Sequence, residues 1–144
     1  MNKIKVLFLC VANSCRSQMA EGLLRHYYGD KFEVYSAGSK ATFVHPLAIE
    51  VMKEIGVDIS NHRSKLVSEF FGQSFDYVIT LCGDSSKSTC PMFIGEVKRE
   101  TLHWNFPDPA EAEGSLEEKL AVFRQVRDEI KKKIDNFVIE ITSK

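Results

Sequence analysis

Cys10 and Arg16 bracket the run Cys10-Val11-Ala12-Asn13-Ser14-Cys15-Arg16-Ser17, which follows the apolar stretch Ile4-Lys5-Val6-Leu7-Phe8-Leu9 and leads straight into a helical pattern. A thiol nucleophile in an anion cradle needs that order. A buried strand aims the sulfur, a short loop turns backbone N–H groups inward, and a helix start adds the positive end of its dipole. The Arg16 guanidinium supplies a planar, bidentate cation for a tetrahedral oxyanion, and Ser17 can donate a further hydrogen bond to the sulfur. Such surroundings favour thiolate over thiol at neutral pH. Cys10 is therefore the candidate nucleophile, and Val11, Ala12, Asn13, Ser14, Cys15, Arg16 and Ser17 are the candidate substrate-binding residues. A Cys and an Arg six positions apart also occur by chance, and buried cysteines are common small hydrophobes. The setting of strand, polar loop and helix start is what gives the pair weight.

The elements that must position this loop alternate along the chain. Ile4 to Leu9 reads as a strand, and Gln18 to Tyr28 as a helix with Met19, Leu23, Leu24 and Tyr27 at helical spacing before Gly29. Phe32 to Ser36 is a second strand closed by Ala37-Gly38. Pro46 opens a helix whose apolar face runs through Ala48, Ile49, Met52 and Ile55 to Gly56. Ser64 to Phe71 is expected to be a third helix, and Asp76 to Leu81 a buried strand ending at Cys82. Gly83 to Thr89 is small and polar, a loop or weak helix able to move. Val97 to Phe106 contains a fourth strand, and Pro107-Asp108-Pro109 forces a turn. Ser115 with Glu118 is a capping-box signal for a long amphipathic helix over Leu116 to Val138. Lys131-Lys132-Lys133 is a solvated face near its end. Strands joined by crossover-length connections predict an α/β fold: an open parallel sheet of four strands flanked by helices on both faces, with ligands beyond the strands' carboxyl ends. Cys10, Cys82 and Asp108 all fall at such ends.

The chain has 144 residues, 44% hydrophobic and 27% charged, with a net charge of −1. That is the size and make-up of a single soluble globular domain, 1–144, with no basic field for nucleic acid. No stretch has the length or apolarity of a membrane span or signal segment, so the expected compartment is the cytoplasm. Four cysteines in a reducing compartment are read as core, metal ligands or redox groups. A zinc site is the non-enzymatic alternative, and the spacing of Cys10 and Cys15, with no close Cys or His pair around Cys82, fits it poorly.

The run from Cys10 to Gly22 resembles the low-molecular-weight protein tyrosine phosphatase superfamily, and more closely its thioredoxin-coupled arsenate reductases. The likeness continues through Val34-Tyr35-Ser36-Ala37-Gly38, Gly56 to His62, Val78-Ile79-Thr80-Leu81-Cys82, Pro107-Asp108-Pro109 and Phe123 to Ile130. It implies that Cys10 is the nucleophile, the loop to Arg16 and Ser17 the oxyanion site, and Asp108 the general acid. Proton donation fits the chemistry, since an oxide leaves poorly as an anion. The resemblance further implies that Cys82 attacks the arsenylated Cys10, that Cys90 resolves the resulting bond, and that thioredoxin reduces the Cys82–Cys90 disulfide. Arsenate would be the substrate, with phosphate or sulfate competing, for arsenical resistance in a monomer without a tightly bound cofactor. Cys82 as the end of a core strand and Cys90 as incidental is the plain alternative; Cys15 is expected to pack or to be an auxiliary thiol.

Several positions depart from the pattern. Phosphatases of the superfamily commonly place aromatic residues after the acid's Asp-Pro, whereas Pro109 is followed by Ala110-Glu111. A small inorganic oxyanion is favoured over an aryl ester, with weak residual phosphatase activity expected from the shared cradle. Ala12 replaces the usual glycine, so that position is expected to avoid positive φ. Some related reductases bind potassium, and Asn13, Glu21 and Ser36 match their ligands, but Lys65 stands where they carry an aspartate. The Lys65 ammonium is expected to replace the ion and to support Glu21 and Asn13, with a solvated surface lysine as the plain alternative. His62 and His103 fall near loops as structural residues, and Trp104 belongs to the core or a pocket wall. A phosphatase, or an oxyanion-binding or redox-sensing module without turnover, are the rival readings.

Overall fold

The computed structural model describes residues 3–82 and 90–143. The expected mobile stretch from Gly83 to Thr89 lies outside the described residues. Strands β1 (Ile4–Cys10), β2 (Phe32–Gly38), β3 (Ser74–Thr80) and β4 (Glu96–His103) form one sheet in the order β2-β1-β3-β4. Every pairing is parallel. The central pair is the most apolar, as a strand buried on both faces must be. β4 lies at the edge, and Glu96, Lys98, Arg99 and Glu100 are exposed along it. Charges on an unpaired edge discourage further strand addition, which accounts for the mixed pattern of this segment.

Helices α1 (Arg16–Tyr28), α2 (Pro46–Glu54) and α3 (Leu116–Thr142) follow β1, β2 and β4 in the chain. Val6 and Phe8 of β1 and Ile79 of β3 pack with Met19 and Leu23 of α1, Met52 of α2, and Phe123, Ile130 and Ile134 of α3. Alternate strand residues face the other way. Leu7, Leu9 and Val78 meet Phe75, Val67 and Phe70 on the second face. The capping box at α3 forms as read: the Glu118 N–H donates to Ser115 Oγ at 3.2 Å, and the Ser115 N–H donates to Glu118 Oε1 at 3.1 Å. The helix then continues to Thr142 rather than Val138.

The predicted helix Ser64–Phe71 is a correction: only the 3-10 turn Val67–Phe70 forms. The residues before it are engaged elsewhere. Lys65 O accepts the Gly38 N–H at 2.9 Å, Leu66 forms an isolated parallel bridge with Gly38, and the Lys65 N–H donates to Asn13 Oδ1 at 2.8 Å. Those three contacts hold an extended backbone, which a helix cannot share. Gly38 sits against the Cys10 loop so closely that a Cβ there would lie 2.6 Å from Val11 O. Only glycine permits that approach.

Candidate active site

β1 ends at Cys10 and α1 begins at Arg16, so five residues make the turn between them. Cys10 is 2% exposed, and its Sγ lies 2.9 Å from Ser17 Oγ. The polarity of that contact follows from its neighbours. Asn13 Oδ1 accepts from the Lys65 N–H and from Gln18 Nε2 at 2.9 Å, which fixes the amide's orientation. Asn13 Nδ2 therefore donates, to Ser17 Oγ at 2.7 Å and to Ser36 Oγ at 3.0 Å. With a lone pair of Ser17 so engaged, its hydroxyl proton is available to an ionised Cys10 sulfur. Ser36 in turn donates to Glu21 Oε1. Asn13 is the non-glycine residue at positive φ, 48°, among the described residues, and its side-chain bonds hold it there. Ala12 is not at positive φ, in line with the expectation from its side chain.

The loop's carbonyls face an outer shell. Val11 O accepts from the Lys40 N–H at 3.0 Å, Ala12 O from Ser64 Oγ at 3.0 Å and Thr42 Oγ1 at 3.1 Å, Asn13 O from Gln18 Nε2 at 3.1 Å, and Ser14 O from the His45 N–H at 3.1 Å. In a planar trans peptide the following N–H points opposite to the carbonyl. The N–H groups of Ala12, Asn13, Ser14 and Cys15 thus lie on the loop's other side. Arg16 is 3% exposed and held by backbone: Nη1 donates to Leu81 O at 3.3 Å and Phe106 O at 3.2 Å, while Nη2 lies 3.7 Å from Asp108 Oδ2. Asp108 also caps the 3-10 turn Pro109–Glu111, accepting from the Ala110 N–H at 3.0 Å.

Cys10, Arg16 and Asp108 share a cleft of about 330 Å³ with Phe43, His45 and Ala110. Cys15 lines it too, but its thiol is buried within the core, and burial, seconded by the Asp108 carboxylate, pushes its pKa far above the usual thiol range. Cys15 stays protonated. Phe43 is 60% exposed beside the loop, an aromatic flank that no periodicity in the sequence singles out. His45 was equally unmarked, although a residue before Pro46 is where a cap belongs. Its Nδ1 accepts from the Leu47 N–H at 3.1 Å, and burial lowers its pKa. His62 bonds Gln18 Oε1 at 2.9 Å, and His103 bonds Thr80 Oγ1 at 2.6 Å, both as structural groups. Trp104 is buried in the core.

The neighbouring strand carries the second pair of sulfurs. The Leu81 N–H donates to Leu9 O at 2.7 Å, extending the β1–β3 pairing past Thr80, so Cys82 follows directly on the residue beside Cys10. Cys82 is disulfide-bonded to Cys90, while Cys10 and Cys15 are free. Cys82 is wholly buried and Cys90 partly exposed.

Of the positions that the resemblance marks as potassium ligands, Asn13, Glu21 and Ser36 are present and the fourth is Lys65. Lys65 Nζ lies 3.9 Å from Glu21 Oε1 and donates to Arg63 O at 2.8 Å, so a protein cation faces the carboxylate that a metal cation would need. Asn13 Oδ1 already accepts two hydrogen bonds. A resident potassium ion does not fit these residues. Among the described residues no group of three or more His, Cys, Asp or Glu side chains could hold a metal ion, and no helix is long and apolar enough to cross a membrane.

A family model for low molecular weight phosphotyrosine protein phosphatases matches residues 5–144. The chain belongs to this family. Within the phosphatase family its similarity runs to reductases. An arsenate reductase of Halalkalibacterium halodurans is 52% identical over 95% of this chain and 96% of its own length. A solved structure described as an arsenate reductase in the phosphate binding state superposes with a TM-score of 0.76 at 35% identity, covering 96% of this chain and 98% of that one. The Corynebacterium glutamicum thioredoxin-dependent arsenate reductase Cg_ArsC1' is 36% identical, with a TM-score of 0.60 over 92% of this chain and 62% of that one.

Proposed function

We propose that this chain reduces arsenate to arsenite through a Cys10–Cys82–Cys90 thiol relay closed by thioredoxin. Arsenate enters the loop, where Arg16 and the inner N–H groups neutralise its charge. The Cys10 thiolate, hydrogen-bonded by Ser17, attacks arsenic, and Asp108 protonates the departing oxide. Cys82 then attacks the Cys10 sulfur. The S–As bond breaks, arsenic keeps the electron pair and leaves as arsenite, and a Cys10–Cys82 disulfide remains. Two thiols have been oxidised for one two-electron reduction of arsenic. Cys90 attacks Cys82, Cys10 is released as thiolate, and thioredoxin returns the Cys82–Cys90 disulfide to dithiol.

The observation that supports this reading is the combination of a free Cys10 in the anion loop with a Cys82–Cys90 disulfide at the adjoining strand end. That pairing matches the relay's state before the final reduction. A weak phosphatase activity toward activated aryl phosphates accompanies the main reaction, because the same cradle accepts a phosphoryl group and Phe43 flanks it.

The test is NADPH oxidation with thioredoxin, thioredoxin reductase and arsenate, comparing the parent with Cys82→Ser and Cys90→Ser. Arsenate-dependent multiple turnover in the parent, lost in both variants, is expected. Turnover that survives both substitutions contradicts the relay. Phosphatase turnover without arsenate-dependent oxidation assigns the chain to the phosphatases.

A further inference from the structure

The Cys10 loop is joined to Lys65 by an unbroken buried chain of polar contacts. From the sulfur it runs through Ser17 Oγ, Asn13 Nδ2, Ser36 Oγ and Glu21 Oε1 to Lys65 Nζ. Asn13, Ser17 and Ser36 are fully buried, Glu21 is 5% exposed and Lys65 9%. Each link has a set direction, because Asn13 can only donate through Nδ2 and an ionised Glu21 can only accept.

Two cations approach Glu21, and they differ. Arg25 binds Oε2, but its side chain is 45% exposed and screened by solvent. Lys65 lies against Oε1, the oxygen that Ser36 also contacts, and its side chain is 11% exposed. Lys65 is further tied at both ends, by Nζ to Arg63 O and by its backbone N–H to Asn13 Oδ1. The charges facing this ammonium are Glu21 and Arg25 from α1, with Arg63 and Glu69 from the segment at the 3-10 turn and His62 beside it.

We infer that Lys65 is a positioning residue: its ammonium, 3.9 Å from Glu21 Oε1, acts as a built-in monovalent cation that anchors the far end of the Glu21–Ser36–Asn13–Ser17 chain and so keeps it aimed at the Cys10 sulfur. This rests on the reading of Cys10 as the nucleophile. It makes the site independent of added potassium, and it separates two functions of one residue. The backbone N–H of position 65 supports the loop whatever the side chain; the ammonium anchors the far end of the chain.

The test reads Cys10 directly, without arsenate turnover. Reduced protein is alkylated with iodoacetamide at pH 7 and the Cys10 rate followed by peptide mass in the parent, Lys65→Met, Lys65→Arg and Lys65→Asp. Thermal melting is measured in equimolar KCl and NaCl. Lys65→Met is expected to slow Cys10 alkylation roughly tenfold, and Lys65→Arg to restore most of it. Lys65→Asp leaves an oxygen-lined gap of ammonium size, so its melting temperature and its Cys10 rate are expected to rise in KCl more than in NaCl, while the parent responds equally to both salts. A folded Lys65→Met with the parent's Cys10 rate overturns the inference, as does potassium-specific stabilisation of the parent. Should Lys65→Met not fold, Lys65→Asp decides: potassium-dependent recovery of the rate supports the built-in cation, and equal rates in the two salts overturn it. Failure of the underlying reading looks different, since Cys10→Ser would then keep arsenate-dependent NADPH oxidation.

Discussion

At the end of β1 the polar side chains Asn13, Ser17, Gln18, Glu21 and Ser36 are buried, and among the described residues no buried side-chain nitrogen or oxygen lacks a partner. One strand over, the end of β3 is organised around a sulfur–sulfur bond, and the chain beyond Cys90 exposes Met92 by 80% and Ile94 by 64%. On the proposed function, the first region fixes charge in place, so that an anion meets donors already aligned. The second must be reached from outside. A disulfide exchanges only when a thiolate can approach one sulfur in line, and Cys90 is the partly exposed member of the pair. On the proposed relay, rigid electrostatics and accessible redox chemistry sit on adjacent strands, which lets each be built without compromising the other.

Cys10→Ser removes the proposed nucleophile and is expected to abolish arsenate reduction altogether, whereas Cys90→Ser should yield one arsenite per protein molecule and then stop; rapid-quench product analysis distinguishes a burst from no product. Equal behaviour of the two variants would erase the division between the regions. Arg16→Lys keeps the charge but cannot reproduce the two carbonyl bonds together with the approach to Asp108. Steady-state kcat/KM should drop about 10²–10³-fold. Asp108→Asn retains an acceptor for the Ala110 N–H and loses the proposed acid, so kcat is expected to fall at least roughly 10²-fold while the melting temperature holds.

Effects away from both regions should be confined to stability. Leu23→Ala in the fully buried core is expected to cost about 2–5 kcal/mol in urea unfolding, with kcat unchanged where the variant is folded. Glu54 joins α2 to α3 through Arg124 and Arg127, and the Arg124 hydrogen bonds are the first cause holding its carboxyl below the usual range. A carboxyl with a depressed folded value stabilises the fold above its unfolded pKa and loses that contribution as pH falls through the folded one. Unfolding midpoints of the parent and Glu54→Gln should therefore differ at neutral pH and converge in acid. Ser115→Ala removes only the α3 cap and should cost about 1 kcal/mol, the smallest of these changes.

Much of this arrangement was legible from residue order. The alternation of apolar runs and helical faces gave four parallel strands, and the capping pair Ser115 and Glu118 placed the start of α3. The loop from Cys10 to Ser17 stood out because its chemistry is local. What could not be read was set by distant partners. Ser64 to Phe71 carries a helical pattern, yet Asn13 and Gly38 draw Lys65 and Leu66 into an extended path. Phe43 and His45 reach the cleft from a loop with no periodic signal, and the neutral state of Cys15 depends on burial that only packing reveals.

The central claim is that oxidation travels from the anion loop to the cysteine pair beyond the end of the neighbouring strand β3. Its most direct test is a single arsenate turnover by fully reduced protein without thioredoxin, quenched with excess alkylating reagent in denaturant and mapped by peptide mass. The account predicts a Cys82–Cys90 disulfide with Cys10 and Cys15 recovered alkylated, in proportion to the arsenite released. Arsenite formed with Cys82 and Cys90 both recovered as free thiols would contradict it.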